Sequence, residues 1–278
     1  MRSAVTISLV PEARGGPFVF WGDLEAGCRQ AAELGFDAVE VFPPDAETLE
    51  ELDADGVLAR HGLRLAAVGT GAGWVKHKLR LTDPDRARRE PARLFVQSIV
   101  EAAGKLGAPA IVGSMQGRWG DGMDRDEAMF YLADALSSLG RFAQSFGVPL
   151  LYEPLNRYET NVANTLAEGS RILRTLESAN VKLLADLFHM NIEEVDVADA
   201  VRTAAADVRH VHFADSNRRA VGCGHADMTR IVRALREIGY DGYLSAEVFP
   251  LPDPAAAARQ TIDSFRRYVQ PQPLNSEP

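Results

Sequence analysis

Residues 148–165 have the sequence VPLLYEPLNRYETNVANT, which contains a short apolar run, a polar loop and the start of a helix. Residues 148–152 have the length and composition of a buried strand, and Glu153 follows them directly. Thr165 and Glu168 have the spacing of a capping box, which predicts a helix over residues 165–177. The same order of strand, loop and helix recurs on both sides of this segment. The chain is therefore predicted to consist of repeated β/α units.

Eight such units can be placed along the chain. The predicted strands cover residues 4–10, 37–42, 63–69, 110–113, 148–152, 181–186, 208–214 and 242–248. The predicted helices cover residues 23–34, 46–61, 85–106, 125–146, 165–177, 197–205, 228–238 and 254–268. This count predicts an α/β protein with a single (β/α)8 TIM barrel. A doubly wound sheet is the alternative, but PEARGGPFVF at residues 11–20 lacks the GxGxxG phosphate turn that normally follows the first strand of such a sheet.

Composition and charge narrow the class of protein further. No linker divides the chain, so we expect one barrel domain over residues 1–269 and a loose polar tail over residues 270–278. A formal net charge of −9 argues against nucleic-acid binding, because phosphate contacts need a basic face. The two cysteines are too few for a disulfide framework or a cysteine-based zinc site. The N-terminal residues contain neither a signal peptide nor a membrane span, so we expect a cytoplasmic protein.

Four successive predicted strands end at residues that bind divalent cations: Glu153, Asp186, His212 and Glu247. The C-terminal ends of barrel strands share one rim, so these side chains should converge. Alone, each residue is better explained as a strand-end cap or a salt-bridge partner. Together, three buried carboxylates and an imidazole are costly unless a cation compensates them. This donor set predicts one divalent ion, with Mn²⁺ expected first and Mg²⁺, Co²⁺ or Zn²⁺ as alternatives.

The segments around these residues resemble a known family. EPLNRYETNVANT (153–165), LLADLFHMNIEE (183–194), VRHVHFADSNR (208–218) and AEVF (246–249) are similar to the ketose 3-epimerases of the D-tagatose and D-psicose type. These enzymes belong to the xylose isomerase-like TIM barrel superfamily. The resemblance implies the same four metal ligands, substrate contacts at Glu159, His189 and Arg218, and a homodimer or homotetramer. Residues 13–23 and 69–84 depart from the family pattern, and both segments should overhang the same rim.

The chemistry expected of such a site is proton transfer next to a ketone. Epimerisation there needs one acid/base group on each face of the carbon, and Glu153 and Glu247 could flank a bound sugar in this way. The cation would stabilise the resulting cis-enediolate. A keto-inositol (inosose) isomerase or dehydratase on the same scaffold is the alternative, and a non-catalytic sugar-binding barrel is a further one. A multi-zinc nuclease is disfavoured because six histidines are too few for several zinc ions and because the chain is acidic.

Two further expectations concern single side chains near the rim. Residues that follow strands one, three and four could wall the pocket or pack within their loops: Phe20, Trp21, Trp74 and Trp119. His210, on the same predicted strand as His212, is expected to face the helix layer.

Overall fold

A closed ring of parallel strands forms the centre of the protein in the computed structural model, which describes residues 1–54, 56–120 and 122–270. Within these residues the strands are β1 (Arg2–Ser8), β2 (Phe20–Trp21), β3 (Ala38–Phe42), β4 (Arg64–Gly69), β5 (Ala110–Val112), β6 (Leu150–Tyr152), β7 (Val181–Asp186), β8 (Val208–His212) and β9 (Tyr243–Ala246). Neighbours pair in the order β1, β3 and onward to β9, and β9 pairs back onto β1. The predicted single (β/α)8 barrel is confirmed.

The two-residue strand β2 lies outside this ring. It pairs with Ile7 and Ser8 at the end of β1, beyond the residues Arg2–Val5 that pair with β9. The sequence did not predict it, because two residues carry no alternation pattern. It holds the segment after β1 against the barrel mouth.

Helices cover the outside of the ring. In the described residues they are α1 (Leu24–Leu34), α2 (Ala46–Ala54), α3 (Val57–Arg60), α4 (Ala72–His77), α5 (Arg86–Lys105), α6 (Arg125–Gln144), α7 (Leu166–Leu173), α8 (Leu187–Glu193), α9 (Val197–Thr203), α10 (Met228–Glu237) and α11 (Pro254–Val269). The predicted capping box at Thr165 and Glu168 is present, with each side chain bound to the backbone of the other's residue. Asp23 caps α1, and Gly35 ends it with a φ of 83°.

The helices of three segments differ in number from the sequence prediction. The helix predicted over residues 46–61 is divided into α2 and α3, and Gly56 begins the second with a φ of 61°. The segment at residues 69–84, where the sequence predicts no helix, contains α4, and α8 follows directly after β7. Both are too short to show a helical period in the sequence. The side chain of Asp186 starts α8 by accepting from the backbone N–H groups of Phe188 and His189.

The interior of the barrel is apolar on one side and polar on the other. Inward-facing residues of neighbouring strands form a small buried cluster: Ala67, Ile111, Leu151 and Leu184. Across the interior lie buried polar side chains of β3 and β8, which are described below. The apolar cluster therefore fills the interior beside β4 to β7, and the buried polar side chains of β3 and β8 lie across from it.

Gln270 follows α11, and residues 271–278 lie outside the described residues, so the predicted tail stays a prediction. None of the helices in the described ranges combines the length and the apolar run needed to cross a bilayer.

Candidate active site and metal centre

The four predicted metal ligands meet at the C-terminal mouth of the barrel. Glu153 directly follows β6, Asp186 ends β7, His212 ends β8 and Glu247 directly follows β9. One ligand atom from each residue lies within 4.8 Å of those of the other three. Three of these side chains are almost fully buried, and that of Glu247 is 16% exposed. Because the closed ring places successive strand ends side by side, residues 94 positions apart become neighbours.

His212 lies at the centre of this cluster. Its Nδ1 atom is 3.1 Å from Oδ2 of Asp186 and 3.4 Å from a carboxylate oxygen of each of Glu153 and Glu247. The two oxygens of Asp186 are used differently, because Oδ1 caps α8 while Oδ2 faces His212. The cap thus fixes which oxygen Asp186 presents to the cluster.

A buried network behind Glu153 fixes its backbone. The amide of Gln116 donates to the carbonyl oxygens of Glu153 at 2.9 Å and Gly113 at 3.0 Å. The hydroxyl of Tyr152 donates to the side-chain oxygen of Gln116 at 2.8 Å. Gly113 matters for a second reason, because a β-carbon at this position would overlap the carboxylate of Glu153. Sequence reasoning missed Gln116 and Gly113, and the glycine at the end of the predicted strand over residues 110–113 was the available signal.

His189 and Arg218 lie side by side at the edge of the cluster. The backbone and side-chain N–H groups of Asn156 both donate to Nδ1 of His189, at 3.3 and 2.7 Å, which leaves the ring proton on Nε2. That Nε2 atom lies 3.2 Å from Nη1 of Arg218. Two donors in this position can converge on one acceptor oxygen. Glu159 lies nearby, bound to Asn156 at 3.1 Å and 3.9 Å from His189.

Arg218 is held by both its backbone and its side chain. It adopts a left-handed φ of 56°, its N–H donates to Asp215 and its carbonyl accepts from Phe249. Its guanidinium contacts Asp186 at 3.2 Å, forms an ion pair with Glu247 and lies over the ring of Phe188. One guanidinium therefore contacts two of the three clustered carboxylates. A divalent cation would compensate the rest of this negative charge, so the residues present fit a metal.

The prediction for His210 was wrong. Its Nε2 atom lies 2.6 Å from Oε2 of Glu40 inside the barrel, and the other oxygen of Glu40 lies 3.0 Å from Nε2 of His212. Residues two apart on a strand point to the same side, so His210 and His212 share the interior. Glu40 itself was not proposed from the sequence, although it is an acidic residue in the predicted strand at residues 37–42.

Three of the four clustered ligands line a cavity of about 290 Å³: Glu153, His212 and Glu247. Its outer wall comes from the two segments that follow β1 and β4, including Arg14, Phe18, Gly71 and Val75. Phe18 stacks on Phe42, with ring centroids 4.6 Å apart. None of the four aromatic residues expected as pocket walls contacts this cavity within the described residues; Phe18 and Phe42 do so instead.

A sequence profile of the xylose isomerase-like TIM barrel family matches residues 28–268. The chain belongs to this family. It is 33% identical over 246 residues to D-psicose 3-epimerase of Agrobacterium fabrum, covering 85% of this chain and 80% of that one. It is 31% identical over 256 residues to 3-dehydro-D-guloside 4-epimerase of Escherichia coli, covering 86% of this chain and 92% of that one. The crystal structure of 3-keto-D-glucoside 4-epimerase from E. coli superposes with a TM-score of 0.80 at 25% identity, covering 96% of this chain and 100% of that one.

These relatives place the chain among isomerase-class enzymes, as the sequence predicted. The electrostatics of the site agree with proton-transfer chemistry. Burial raises the pKa of Glu153 to about 7, so this carboxyl can gain or lose a proton near neutral pH. Burial lowers the pKa of His189 to about 4, so this imidazole is neutral. Burial also raises the pKa of Glu247, while the Arg218 guanidinium helps to hold that of Asp186 far below its usual range despite burial.

Proposed function

We propose that this enzyme is a divalent-metal-dependent epimerase that inverts a sugar carbon next to a ketone, as a ketose 3-epimerase does. The observation that carries this proposal is the pair of carboxylates from Glu153 and Glu247, which approach one cavity from β6 and β9 beside Asp186 and His212. Relatives named as 3-epimerases of D-psicose and L-ribulose support a sugar substrate.

The cation would be held by Glu153, Asp186, His212 and Glu247. When bound, it would act as a Lewis acid toward the substrate's carbonyl and neighbouring hydroxyl oxygens. Three oxygen donors and one nitrogen favour Mn²⁺ among the candidate ions, with Mg²⁺, Co²⁺ and Zn²⁺ as the comparisons. The residues of the chain carry out the proton transfers.

In this proposal one glutamate removes the proton next to the ketone, and the other returns a proton to the opposite face. The electrons of the broken C–H bond pass to the carbonyl oxygen, which gives a cis-enediolate. The N–H groups of His189 and Arg218 lie beside each other and would hold a substrate oxygen there. Glu159 would bind a sugar hydroxyl or orient Asn156 and, through it, His189.

Hydrogen exchange in D₂O tests this reaction directly. The Mn²⁺-loaded enzyme is incubated with a panel of ketoses and ketose phosphates, and deuterium is located by NMR. We expect epimerisation with exchange at the carbon next to the carbonyl. In Glu153→Gln or Glu247→Gln, the remaining base should exchange the proton of one epimer without producing the other, provided that metal analysis shows a loaded site. The absence of exchange with every substrate would refute the proposal, and an unsaturated-ketone absorbance with a keto-inositol would favour the dehydratase instead.

A second cavity supports a keto-glycoside as an alternative substrate. This cavity has a volume of about 530 Å³ and shares Gly16, Pro17, Glu159 and Arg218 with the first. Phe188 and Phe249 also line it, and aromatic faces pack well on sugar rings. A 3-keto-glycoside would place its ketone in the first cavity and its second group here. A kcat/KM at least tenfold higher for a 3-keto-glycoside than for any free ketose would favour this alternative.

A further inference from the structure

A buried hydrogen-bonded chain lies beneath the four clustered ligands. It consists of Glu40 on β3 and of His210 and His212 on β8, and each of these residues is at most 4% exposed. Glu40 reaches across the barrel, because β3 and β8 are not neighbours in the ring. Its two carboxylate oxygens lie 3.0 Å from Nε2 of His212 and 2.6 Å from Nε2 of His210.

The two ring nitrogens of His212 have different surroundings. Nδ1 faces the oxygens of Asp186, Glu153 and Glu247, whereas Nε2 faces Glu40. A neutral imidazole carries its proton on one nitrogen and a lone pair on the other. To bind a cation among the three carboxylates, His212 must present the lone pair of Nδ1 and keep its proton on Nε2.

Without Glu40, the opposite tautomer would be favoured. A proton on Nδ1 could be donated to Oδ2 of Asp186, which lies 3.1 Å away, whereas an N–H at Nε2 would be buried without an acceptor. In that tautomer a hydrogen bond would replace the cation contact. The position of Glu40 therefore decides whether His212 is a metal ligand or a hydrogen-bond donor.

We propose that Glu40 is a positioning residue for the metal centre, which selects the Nε2–H tautomer of His212, and that His210 holds Glu40 in place. This inference rests on the metal site of the proposed function, but it concerns cation binding and can be measured without turnover. It differs from a second metal site at Glu40, His210 and His212, because such a site would require His212 to lose the proton from both nitrogens.

Two readouts test the proposal. The first is ¹⁵N NMR of the imidazoles in the wild-type enzyme loaded with diamagnetic Zn²⁺, where the proton of His212 is expected on Nε2 and Nδ1 is expected to bind the ion. The second is Mn²⁺ titration followed by the EPR signal of the free ion, with Glu40→Gln as the variant. An amide accepts from one imidazole only and carries no charge, so Mn²⁺ affinity should fall about 10–100-fold. The His212 proton should move toward Nδ1 in the same variant.

Ser245→Ala is the matched control. Ser245 is fully buried on β9, pairs in register with His212, and its hydroxyl has no hydrogen-bond partner in the described structure. Removing that hydroxyl should leave Mn²⁺ affinity unchanged within about twofold, since the hydroxyl makes no hydrogen bond to Glu40, His210 or His212.

Three results would overturn the proposal: a His212 proton on Nδ1 in the Zn²⁺-loaded wild-type enzyme, an unchanged Mn²⁺ affinity in folded Glu40→Gln, or a second Mn²⁺ equivalent that this variant loses. The wild-type NMR result decides the matter even if Glu40→Gln does not fold. Failure of the proposed function looks different, because the enzyme would then bind Mn²⁺ in a Glu40-dependent manner and epimerise no sugar.

Discussion

Gly113→Ala is the substitution that most directly tests whether Glu153 acts at its observed position. Gly113 directly follows β5, and a β-carbon there would overlap Oε2 of Glu153. That oxygen is at the far end of a flexible side chain, so the carboxylate can move away while the backbone stays in place. A group displaced by on the order of 1 Å from its working position costs about 10²-fold in rate. This loss corresponds to roughly 2.7 kcal/mol in kcat/KM.

Fold stability should respond much less than activity. Replacing glycine by alanine restricts the unfolded chain and contributes about 0.4–1 kcal/mol of stability where the backbone tolerates it. The collision with Glu153 offsets part of that gain. We therefore expect the free energy of unfolding in urea to change by less than about 1 kcal/mol, while kcat/KM for epimerisation and Mn²⁺ affinity both fall.

A double-mutant cycle with Glu153→Ala identifies the cause. If the new methyl group acts through the carboxylate, Gly113→Ala should have no further effect on Mn²⁺ affinity once that carboxylate is absent. Full activity in Gly113→Ala, or an equal loss of affinity in both backgrounds, would refute this reasoning.

The other predictions concern stability. Tyr152→Phe leaves the buried side-chain oxygen of Gln116 without its donor and should lower the free energy of unfolding by about 1–2 kcal/mol in a urea titration, with little change in Mn²⁺ affinity. Asp215→Ala removes a carboxylate that accepts three backbone N–H groups in the loop that carries Arg218, so stability should fall by about 2–3 kcal/mol and KM should rise. These N–H groups hold the pKa of Asp215 below its usual value, although burial opposes them. The stability that Asp215 contributes is therefore fully present above its pKa in the unfolded chain, about 4, and is lost as the pH falls through its lower pKa in the folded protein. The wild-type enzyme should thus lose stability more steeply than Asp215→Ala below about pH 4. Removing the metal with a chelator should lower Tm, since a ligand at 100 times its Kd contributes about 2.7 kcal/mol, and an unchanged Tm would contradict a metal centre that binds the folded state.

Local patterns were sufficient for the order of strands and helices. Asp23 begins α1 and Gly35 ends it, and Thr165 and Glu168 begin α7. These ends could be predicted because a cap depends on residues within one turn of each other. The same holds for the strand ends that carry Glu153 and Asp186, where an apolar run stops at a charged residue. The alternation of strands and helices along the chain then limits the architecture to a few candidates, and the barrel is the one that fits eight units.

The contacts between residues distant in sequence depend on closure of the ring. Glu40 meets His212 across 172 positions of sequence, and nothing near either residue in the chain indicates that contact. The overlap of a Gly113 side chain with Glu153, and the part of Phe18 in the cavity wall, also depend on which strands and loops become neighbours. The sequence alone determined the β/α order and the residue types at the strand ends, because these are local properties of the chain. The tertiary structure alone decided which side chains support them, because contacts across a barrel depend on the register and closure of all its strands.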